Sequence, residues 1–123
     1  MKLTLTGRIP SKKNSRRHFK TPTGRRIVMP SAAYERWHTE AGYQLLSHRP
    51  KQPLDGPISL TCTFYLKGRL DSDLDNMMAS VADLLEDMGF IQNDKQIRHA
   101  DLTKYPLASD FKTEITIAPL TPQ

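Results

Sequence analysis

The stretch ISLTCTFYL, residues 58–66, alternates between apolar and polar side chains and limits the choice of fold more than any other segment. Its apolar members are Ile58, Leu60, Cys62, Phe64 and Leu66. Because successive residues of a strand point to opposite faces, this pattern predicts a long strand with one face in a core. The apolar face of this strand must be buried against other elements, so we expect helices packed on one side of a sheet.

Two segments have apolar residues at helical spacing and are predicted to form these helices. The first follows Ser31, a good N-cap residue, and contains Tyr34, Trp37, His38, Ala41 and Leu45. The second contains Met77, Val81, Leu84, Leu85 and Met88. Its predicted N-cap is Asp75 or Asn76, and Gly89 stands just past its end.

Shorter strand patterns occur at KLTLT, IVM, KQIRHADL and FKTEITI, and the IVM strand is expected to pair back. The basic segment from residue 9 to residue 26 is predicted to be a loop. A chain of 123 residues has the size of one domain. We therefore predict a single α+β domain, residues 1–123, in which two main helices pack on a mixed β-sheet.

Basic and acidic residues are separated along the chain. The net charge is +5, and half of the 18 basic residues lie within residues 1–34, which contain no Asp or Glu. Eight of the 13 acidic residues lie between positions 71 and 101. A basic arm of this kind favours a polyanion partner, most often nucleic acid, over the alternative of a solvated basic face.

The single cysteine and the hydropathy pattern predict the compartment. Cys62 excludes an internal disulfide framework, and its place in the alternating strand predicts a buried, unreactive thiol. No apolar run approaches the roughly 20 residues that span a bilayer. The N-terminus, MKLTLTGRIP, has no secretory h-region. These features predict a cytoplasmic protein with no membrane association.

The stretch RLDSDLDN gathers three carboxylates at alternate positions: Asp71, Asp73 and Asp75. On an extended chain they share one face, where two of them about 5 Å apart repel by roughly 3 kcal/mol. A divalent cation between carboxylates and a phosphate group would remove this repulsion and would fit a metal-assisted phosphodiesterase. The alternative is a solvated turn, because Asp-x-Asp alone is a weak motif.

The longer stretch DLDNMMASVADLLEDMGFIQND combines Asp-Leu-Asp-Asn, an amphipathic helix, a glycine turn and a final acidic residue. It resembles the RusA family of Holliday-junction resolvases, crossover-junction endodeoxyribonucleases common in phages and prophages. IPSKKNSRR is similar to the family's Pro-Ser-x-x-Asn segment, and SAAYERW is similar to its first helix. The resemblance covers nearly the whole chain and implies a RusA-like fold and a nuclease of DNA recombination and repair.

The resemblance also implies the site. The catalytic and metal-binding acids would be Asp73, Asp75 and Asp94, within an acidic site segment of residues 71–94. The implied cofactor is Mg²⁺, with Mn²⁺ as a substitute, and no motif for a small-molecule cofactor is present. Asp71 has no firm counterpart in the family. Asn93 replaces the first member of the family's usual Asp-Asp pair.

One position departs from the family pattern. The family typically has a lysine one helical turn after the second aspartate, where this chain has Ala79. Lys95 and Lys13 are two residues that could supply the missing charge. The alternative is a junction- or DNA-binding protein that is non-catalytic or weakly active. A third alternative is a basic structural protein whose aspartates form a solvated turn.

The basic loop, residues 8–26, is predicted to contact DNA phosphates without reading base sequence. The predicted contacts are Lys12, Lys13, Asn14, Arg16, Arg17, Arg25 and Arg26. Resolution of a four-way junction takes two symmetric cuts, whereas one small chain offers one active site. We therefore expect a C₂ homodimer on branched DNA.

Overall fold

The computed structural model describes residues 1–10, 16–20, 22, 24, 26–69 and 71–120, with the backbone alone for 16–20 and 26–30. The strands and α-helices of these residues are β1 Lys2–Thr6, β2 Arg16–Lys20, β3 Arg26–Pro30, α1 Ala32–Leu45, β4 Ile58–Lys67, α2 Leu74–Asp87, β5 Ile97–Ala108 and β6 Lys112–Pro119. Short 3₁₀ helices lie at Leu46–His48 and Asp94–Gln96. No helix within the ranges described has the length and apolarity needed to cross a membrane.

Four strands form a mixed sheet in the order β1-β6-β4-β5, and β2 and β3 form a separate antiparallel pair. β6 pairs antiparallel with both β1 and β4, whereas β4 and β5 run parallel. A parallel pair needs a crossover, and α2 supplies it. The first turn of α2 therefore lies where β4 ends, and its last turn lies near the start of β5. The predicted α+β fold, with a mixed sheet and two helices, is confirmed.

The core lies between one face of the sheet and the two helices. The alternating apolar residues of β4 are at most 5% exposed, and Val81, Leu84 and Leu85 of α2 are fully buried. Burial raises the pKa of the Cys62 thiol to about 12. Because the thiolate is the reactive form, Cys62 is inert while the protein is folded.

Several predicted helix ends are confirmed. Ser31 caps α1, because its Oγ accepts a hydrogen bond from the Tyr34 N–H over 3.1 Å. Gly89 follows the C-cap of α2 with φ +79°, a left-handed conformation that glycine adopts without steric cost.

Two local predictions were wrong. The basic loop is not loop throughout, because Arg16–Lys20 forms β2 and pairs with β3 from Arg16↔Pro30 to Lys20↔Arg26. The N-cap of α2 is Asp73, and neither Asp75 nor Asn76 holds that position. The helix begins earlier than predicted because the Met77 N–H already bonds the Asp73 carbonyl over 3.1 Å. This first turn closes without a capping side chain.

Candidate active site

The start of α2 carries two of the three predicted acids at the surface. Asp73 holds the N-cap position, and its exposed carboxylate makes no capping hydrogen bond. The buried Asn76 donates from Nδ2 to Asp73 Oδ2 over 3.4 Å and so orients this carboxylate. Asp75 follows in the first turn and is also exposed. Exposed carboxylate oxygens are the donors that Mg²⁺ prefers, so this pair fits the implied ion.

Lys104 of β5 reaches the segment just before α2, and sequence reasoning missed it. Its Nζ lies 2.8 Å from Asp71 Oδ1 and donates to the Ser72 carbonyl over 3.2 Å. The hydrogen bond and the charge of Lys104 lower the pKa of Asp71 below its ordinary value. Asp71 is therefore paired and not simply solvated. Lys104 lies opposite Phe64 in the β4–β5 register, a relation that only strand pairing reveals.

A cleft of about 650 Å³ opens beside the start of α2. Its walls are the end of β1 and the chain after it, one side of α1, and residues 71–73 and 76–77 at the start of α2. The Gln44 side chain holds two walls together, because it bonds both the N–H and the carbonyl of Thr6, over 2.8 and 3.2 Å. Ser80 Oγ of α2 donates to the Pro10 carbonyl over 3.3 Å and so joins α2 to the chain after β1.

Two arginines line this cleft. Arg8 follows β1, Arg36 belongs to α1, and both side chains are exposed. Neither forms an ion pair with any residue in the described ranges. Unpaired guanidinium groups beside exposed carboxylates are suited to bind the phosphates of a strand that enters the cleft.

Asp94, the third predicted acid, begins the 3₁₀ helix between α2 and β5 and is exposed. Its N–H donates to Glu86 Oε1, in the last turn of α2, over 3.1 Å. Asn93 is the N-cap of this short helix and accepts a hydrogen bond from the Lys95 N–H over 2.8 Å. Asn93, at a position where the predicted resemblance would place an aspartate, therefore stabilises the start of the 3₁₀ helix through a hydrogen bond.

Gln96 fixes the loop that carries Asp94. Its Oε1 accepts hydrogen bonds from the N–H groups of Gln92 and Asn93, over 2.7 and 3.0 Å. Its Nε2 donates to the carbonyls of Leu54 and Gly56, over 2.9 Å each. Four hydrogen bonds from one side chain give this loop a defined conformation.

One chain does not bring the three predicted acids together. α2 has 14 residues and is about 20 Å long. Asp73 and Asp75 lie at its start, whereas Asp94 is bonded to its last turn. Within the described part of the chain, the group of three metal-ligand side chains whose ligand atoms all lie within 4.8 Å of one another is His38, Asp83 and Asp87. The catalytic role of Asp73, Asp75 and Asp94 stays a prediction.

Comparison with known proteins assigns the fold and this site segment to a family. The family model for endodeoxyribonuclease RusA matches residues 9–118. The chain belongs to the RusA family. It is also similar to the crossover junction endodeoxyribonuclease RusA of Aquifex aeolicus (strain VF5), with 30% identity over 90 residues. These residues are 73% of this chain and 69% of the Aquifex protein.

RusA-family membership confirms the predicted resemblance and the predicted enzyme class, an endodeoxyribonuclease. The match begins at Ile9 and ends at Ala118, so it includes the predicted basic loop beyond Arg8, both helices and the whole segment 71–94. The two acids at the start of α2, the Asp94 loop and the cleft walls formed by α1 and α2 all lie in RusA-family sequence, whereas Thr6, Gly7 and Arg8 of the cleft precede the matched range.

All seven predicted DNA contacts of this RusA-family chain lie where no side chain is described. Lys12, Lys13, Asn14 and Arg25 are outside the described residues. Arg16 and Arg17 belong to β2 and Arg26 to β3, for which the backbone alone is given. Their contacts with DNA remain predictions.

A polar network joins α1 to α2 away from the two exposed acids. Tyr34 OH donates to Asp83 Oδ2 over 2.6 Å. His38 Nε2 lies 2.9 Å from Asp87 Oδ2 and 3.9 Å from Asp83 Oδ2. Asp83 and Asp87 share a helix face because they are four residues apart. Asp83 thus bridges the two helices that flank the cleft.

Replacement of Tyr34 by phenylalanine is expected to lower the free energy of unfolding by about 1–2 kcal/mol at neutral pH, because the bond to Asp83 is lost. Burial, and then the hydrogen bond to Asp83, raise the pKa of Tyr34 above its ordinary value of 10.0. The unfolded chain therefore releases this proton first, so the tyrosine's contribution is complete below pH 10 and is lost as the pH rises further.

Urea titrations from neutral pH to pH 11 measure this effect. The decline in stability above pH 10 should be shallower in Tyr34→Phe than in the parent protein. Tyr43→Phe is the matched control, because Tyr43 is 73% exposed and its loss should change stability by less than about 0.5 kcal/mol. Equal effects of the two substitutions would contradict the importance of the Tyr34–Asp83 bond.

Proposed function

We propose that this chain is a homodimeric, Mg²⁺-dependent endodeoxyribonuclease of phage or prophage origin that resolves Holliday junctions in cytoplasmic recombination and repair. Mn²⁺ can replace Mg²⁺ in this proposal. One observation carries it: a RusA-family chain places two exposed carboxylates, Asp73 and Asp75, at the start of α2, and Asp73 lines a cleft that Arg8 and Arg36 also line. Branched DNA is the proposed partner, and no small-molecule cofactor is needed.

In this proposal each residue of the site has a separate role. Asp73 and Asp75, completed by Asp94, would hold the cation, which when bound activates water and stabilises charge on the phosphoryl oxygens. Asn76 holds the Asp73 carboxylate in one orientation from its buried side. Arg8 and Arg36 would bind phosphates of the strand in the cleft.

The basic loop acts at longer range in this proposal. Its residues Lys12, Lys13, Asn14, Arg16, Arg17, Arg25 and Arg26 would contact the phosphates of the junction arms. Such contacts do not read base sequence, so a branched substrate would be selected by its shape and deformability.

Cleavage of a synthetic four-way junction tests the proposed function, with a linear duplex of the same sequence as the control substrate. We expect paired, symmetric nicks near the branch point in the presence of Mg²⁺ or Mn²⁺, and an intact linear duplex. Cleavage of both substrates at the same rate would remove the junction preference. An intact junction after long incubation would argue against nuclease activity.

Ala79 favours a second candidate, a junction-binding protein with little or no cleavage. It is exposed on α2 and offers no charge at the position where the family typically has a lysine. Tight junction binding without product in Mg²⁺ or Mn²⁺ would select this candidate. Gain of cleavage in Ala79→Lys would then identify the missing group.

Lys104 is the residue that compensates for Ala79 in the leading proposal. Its bonds to Asp71 and Ser72 position the segment that leads into Asp73. Lys104→Met is expected to reduce the cleavage rate at saturating junction by about 10–100-fold, the usual effect of a small displacement in an active site. Junction affinity should change by less than about twofold, because Lys104 acts on the site and not on the DNA arms.

Single-turnover cleavage and metal-free junction binding separate these two quantities. Lys104→Arg should retain most of the rate, since a guanidinium can donate to both oxygens. Lys112→Met is the control, because Lys112 is an exposed lysine paired with Glu114 on β6. Weaker junction binding with an unchanged saturated rate in Lys104→Met would show a DNA contact and contradict the positioning role.

A further inference from the structure

The side chain of Trp37 has an unsatisfied polar group beside the cleft. Trp37 is 6% exposed, and its buried Nε1–H has no hydrogen-bond acceptor in the part of the chain that the structure describes. The indole packs against Tyr34, with ring centroids 5.7 Å apart, and also lines the cleft. Buried donors are almost always paired in folded proteins, so a ligand that supplies an acceptor here would gain affinity.

The other walls of the cleft combine buried apolar side chains with exposed charged ones. Ile9, Ala41 and Met77 are at most 5% exposed, whereas Arg8 and Arg36 are exposed. The volume of about 650 Å³ lies in the usual range for a pocket that holds one small ligand. A ligand with a flat, largely apolar body and an anionic group matches both kinds of wall. A DNA base joined to its phosphate has these two properties.

Glu40 indicates the orientation of such a ligand. It lies one helical turn after Arg36 on α1, lines the same cleft and is exposed. Its carboxylate repels a phosphate but accepts hydrogen bonds from the N–H groups of a base. Glu40 and the indole N–H of Trp37 thus offer one acceptor and one donor to a base, while the arginines remain for the phosphate.

Branched DNA supplies such a nucleotide at the lowest cost. Removal of a base from a duplex breaks its stacking and pairing, and this cost is smallest where the regular duplex is already interrupted. The branch point of a four-way junction is such a place. Asp73 lines the same cleft, so a nucleotide held there brings its strand to the start of α2.

We propose that the cleft is a pocket for one nucleotide drawn out of the DNA at the branch point. The base lies beside Trp37 and accepts its Nε1–H, and the phosphate of the same nucleotide binds Arg8 and Arg36. This inference rests on the proposed function and adds to it a binding site that favours branched DNA. Trp37 determines specificity in this site and takes no part in the hydrolysis itself.

Fluorescence of Trp37 tests the pocket, because the chain contains one tryptophan. Since Nε1 is covered, the side chains around it must shift when an acceptor reaches it, and the emission should change with binding. Each of the four deoxynucleoside 5′-monophosphates is titrated without metal, and calorimetry gives the affinities independently. Deoxyribose 5-phosphate is the control ligand, because it lacks the base. At least one nucleotide should bind about tenfold more tightly than this control.

Two substitutions separate the base from the phosphate. Trp37→Phe keeps a buried ring without the N–H, and it should weaken a deoxynucleoside and its monophosphate alike, by about 5–10-fold. Arg36→Met should weaken the monophosphate by a similar factor and leave the deoxynucleoside unchanged. Tyr43→Phe is the control, because Tyr43 is exposed and lies outside the cleft walls. Arg36→Met changes an exposed residue, so it tests the pocket even if Trp37→Phe does not fold.

A fluorescent base tests the same event in DNA. The emission of 2-aminopurine rises when the base leaves the stack. Placed at the branch point of a synthetic junction, it should become brighter when the parent protein binds without metal. The same base in the middle of one arm should not change. Trp37→Phe should still bind the junction but give a smaller rise at the branch point.

Three results would overturn parts of this inference. Nucleotides that bind no more tightly than deoxyribose 5-phosphate would make the cleft a phosphate site. Parent affinity in Trp37→Phe would remove the indole N–H from the site. Nucleotide binding without a rise at the branch point would assign the cleft to free nucleotides. None of these measurements needs cleavage, so a protein that leaves junctions intact would refute the proposed nuclease, and the nucleotide pocket would still be decided.

Discussion

Replacement of Asp75 by asparagine is expected to reduce junction cleavage at least about 10³-fold while the protein still binds the junction. Asparagine keeps the size and one oxygen of the side chain but removes the charge that would hold a cation. Asp75 is exposed at the first turn of α2, so the helix should survive the change. Loss of a negative charge there costs only about 0.3–1 kcal/mol through the helix dipole.

Single-turnover cleavage and junction binding in the absence of metal measure the two halves of this prediction. Asp55→Asn is the control for removal of one exposed carboxylate, because Asp55 lies in the loop before β4 and accepts a hydrogen bond from the adjacent Gly56 N–H. It should cleave at the parent rate. An Asp75→Asn variant that cleaves within about threefold of the parent would remove Asp75 from the site.

Replacement of Phe90 by alanine is expected to lower the free energy of unfolding by about 3–5 kcal/mol. Phe90 is fully buried and follows Gly89 at the end of α2. Its N–H donates to the Leu85 carbonyl, and its carbonyl accepts from the Leu54 N–H, over 2.9 Å each. The buried ring and these two backbone hydrogen bonds together fix the chain just before the loop that carries Asp94. Loss of the ring would leave a cavity beneath that loop.

Urea denaturation measures this loss, and Phe90→Leu is the matched control because leucine fills most of the volume. We expect a cost of about 1–1.5 kcal/mol for the leucine variant. Cleavage by the alanine variant at a temperature where it is fully folded should also fall, since Asp94 loses part of its support. A stability change below about 1 kcal/mol in Phe90→Ala would contradict its place in the core.

The fold was predictable where one physical pattern dominates a segment. The alternation in 58–66 predicts β4 because only a strand places those five apolar residues on one face. The predicted helix start at Ser31 and the predicted helix end at Gly89 hold because serine at an N-cap and glycine after a C-cap are both favoured by local backbone geometry. The short strand predicted at IVM lies within β3, but its partner β2 was not predictable in the same way, because RRHFK has no apolar alternation and pairs through its backbone.

The N-cap of α2 was predicted wrongly because three nearby residues all favour that position. Asp73, Asp75 and Asn76 are all residues that favour an N-cap position. Asn76 instead turns its amide toward Asp73 and is buried, which places it inside the helix. Sequence spacing alone does not distinguish these three choices, since the outcome depends on which side chain the core covers.

The amino-acid sequence by itself determined the family and the residue types of the predicted site: carboxylates at 73, 75 and 94, a basic N-terminal region, and an alanine at position 79. Only the tertiary structure decided their distances. It placed Lys104 against Asp71 and Ser72, and it put Asp94 at the far end of α2 from Asp73 and Asp75. The reason is topological, because a parallel β4–α2–β5 crossover sends the two ends of its helix to opposite ends of the sheet. Residues of one sequence motif are therefore brought to separate places.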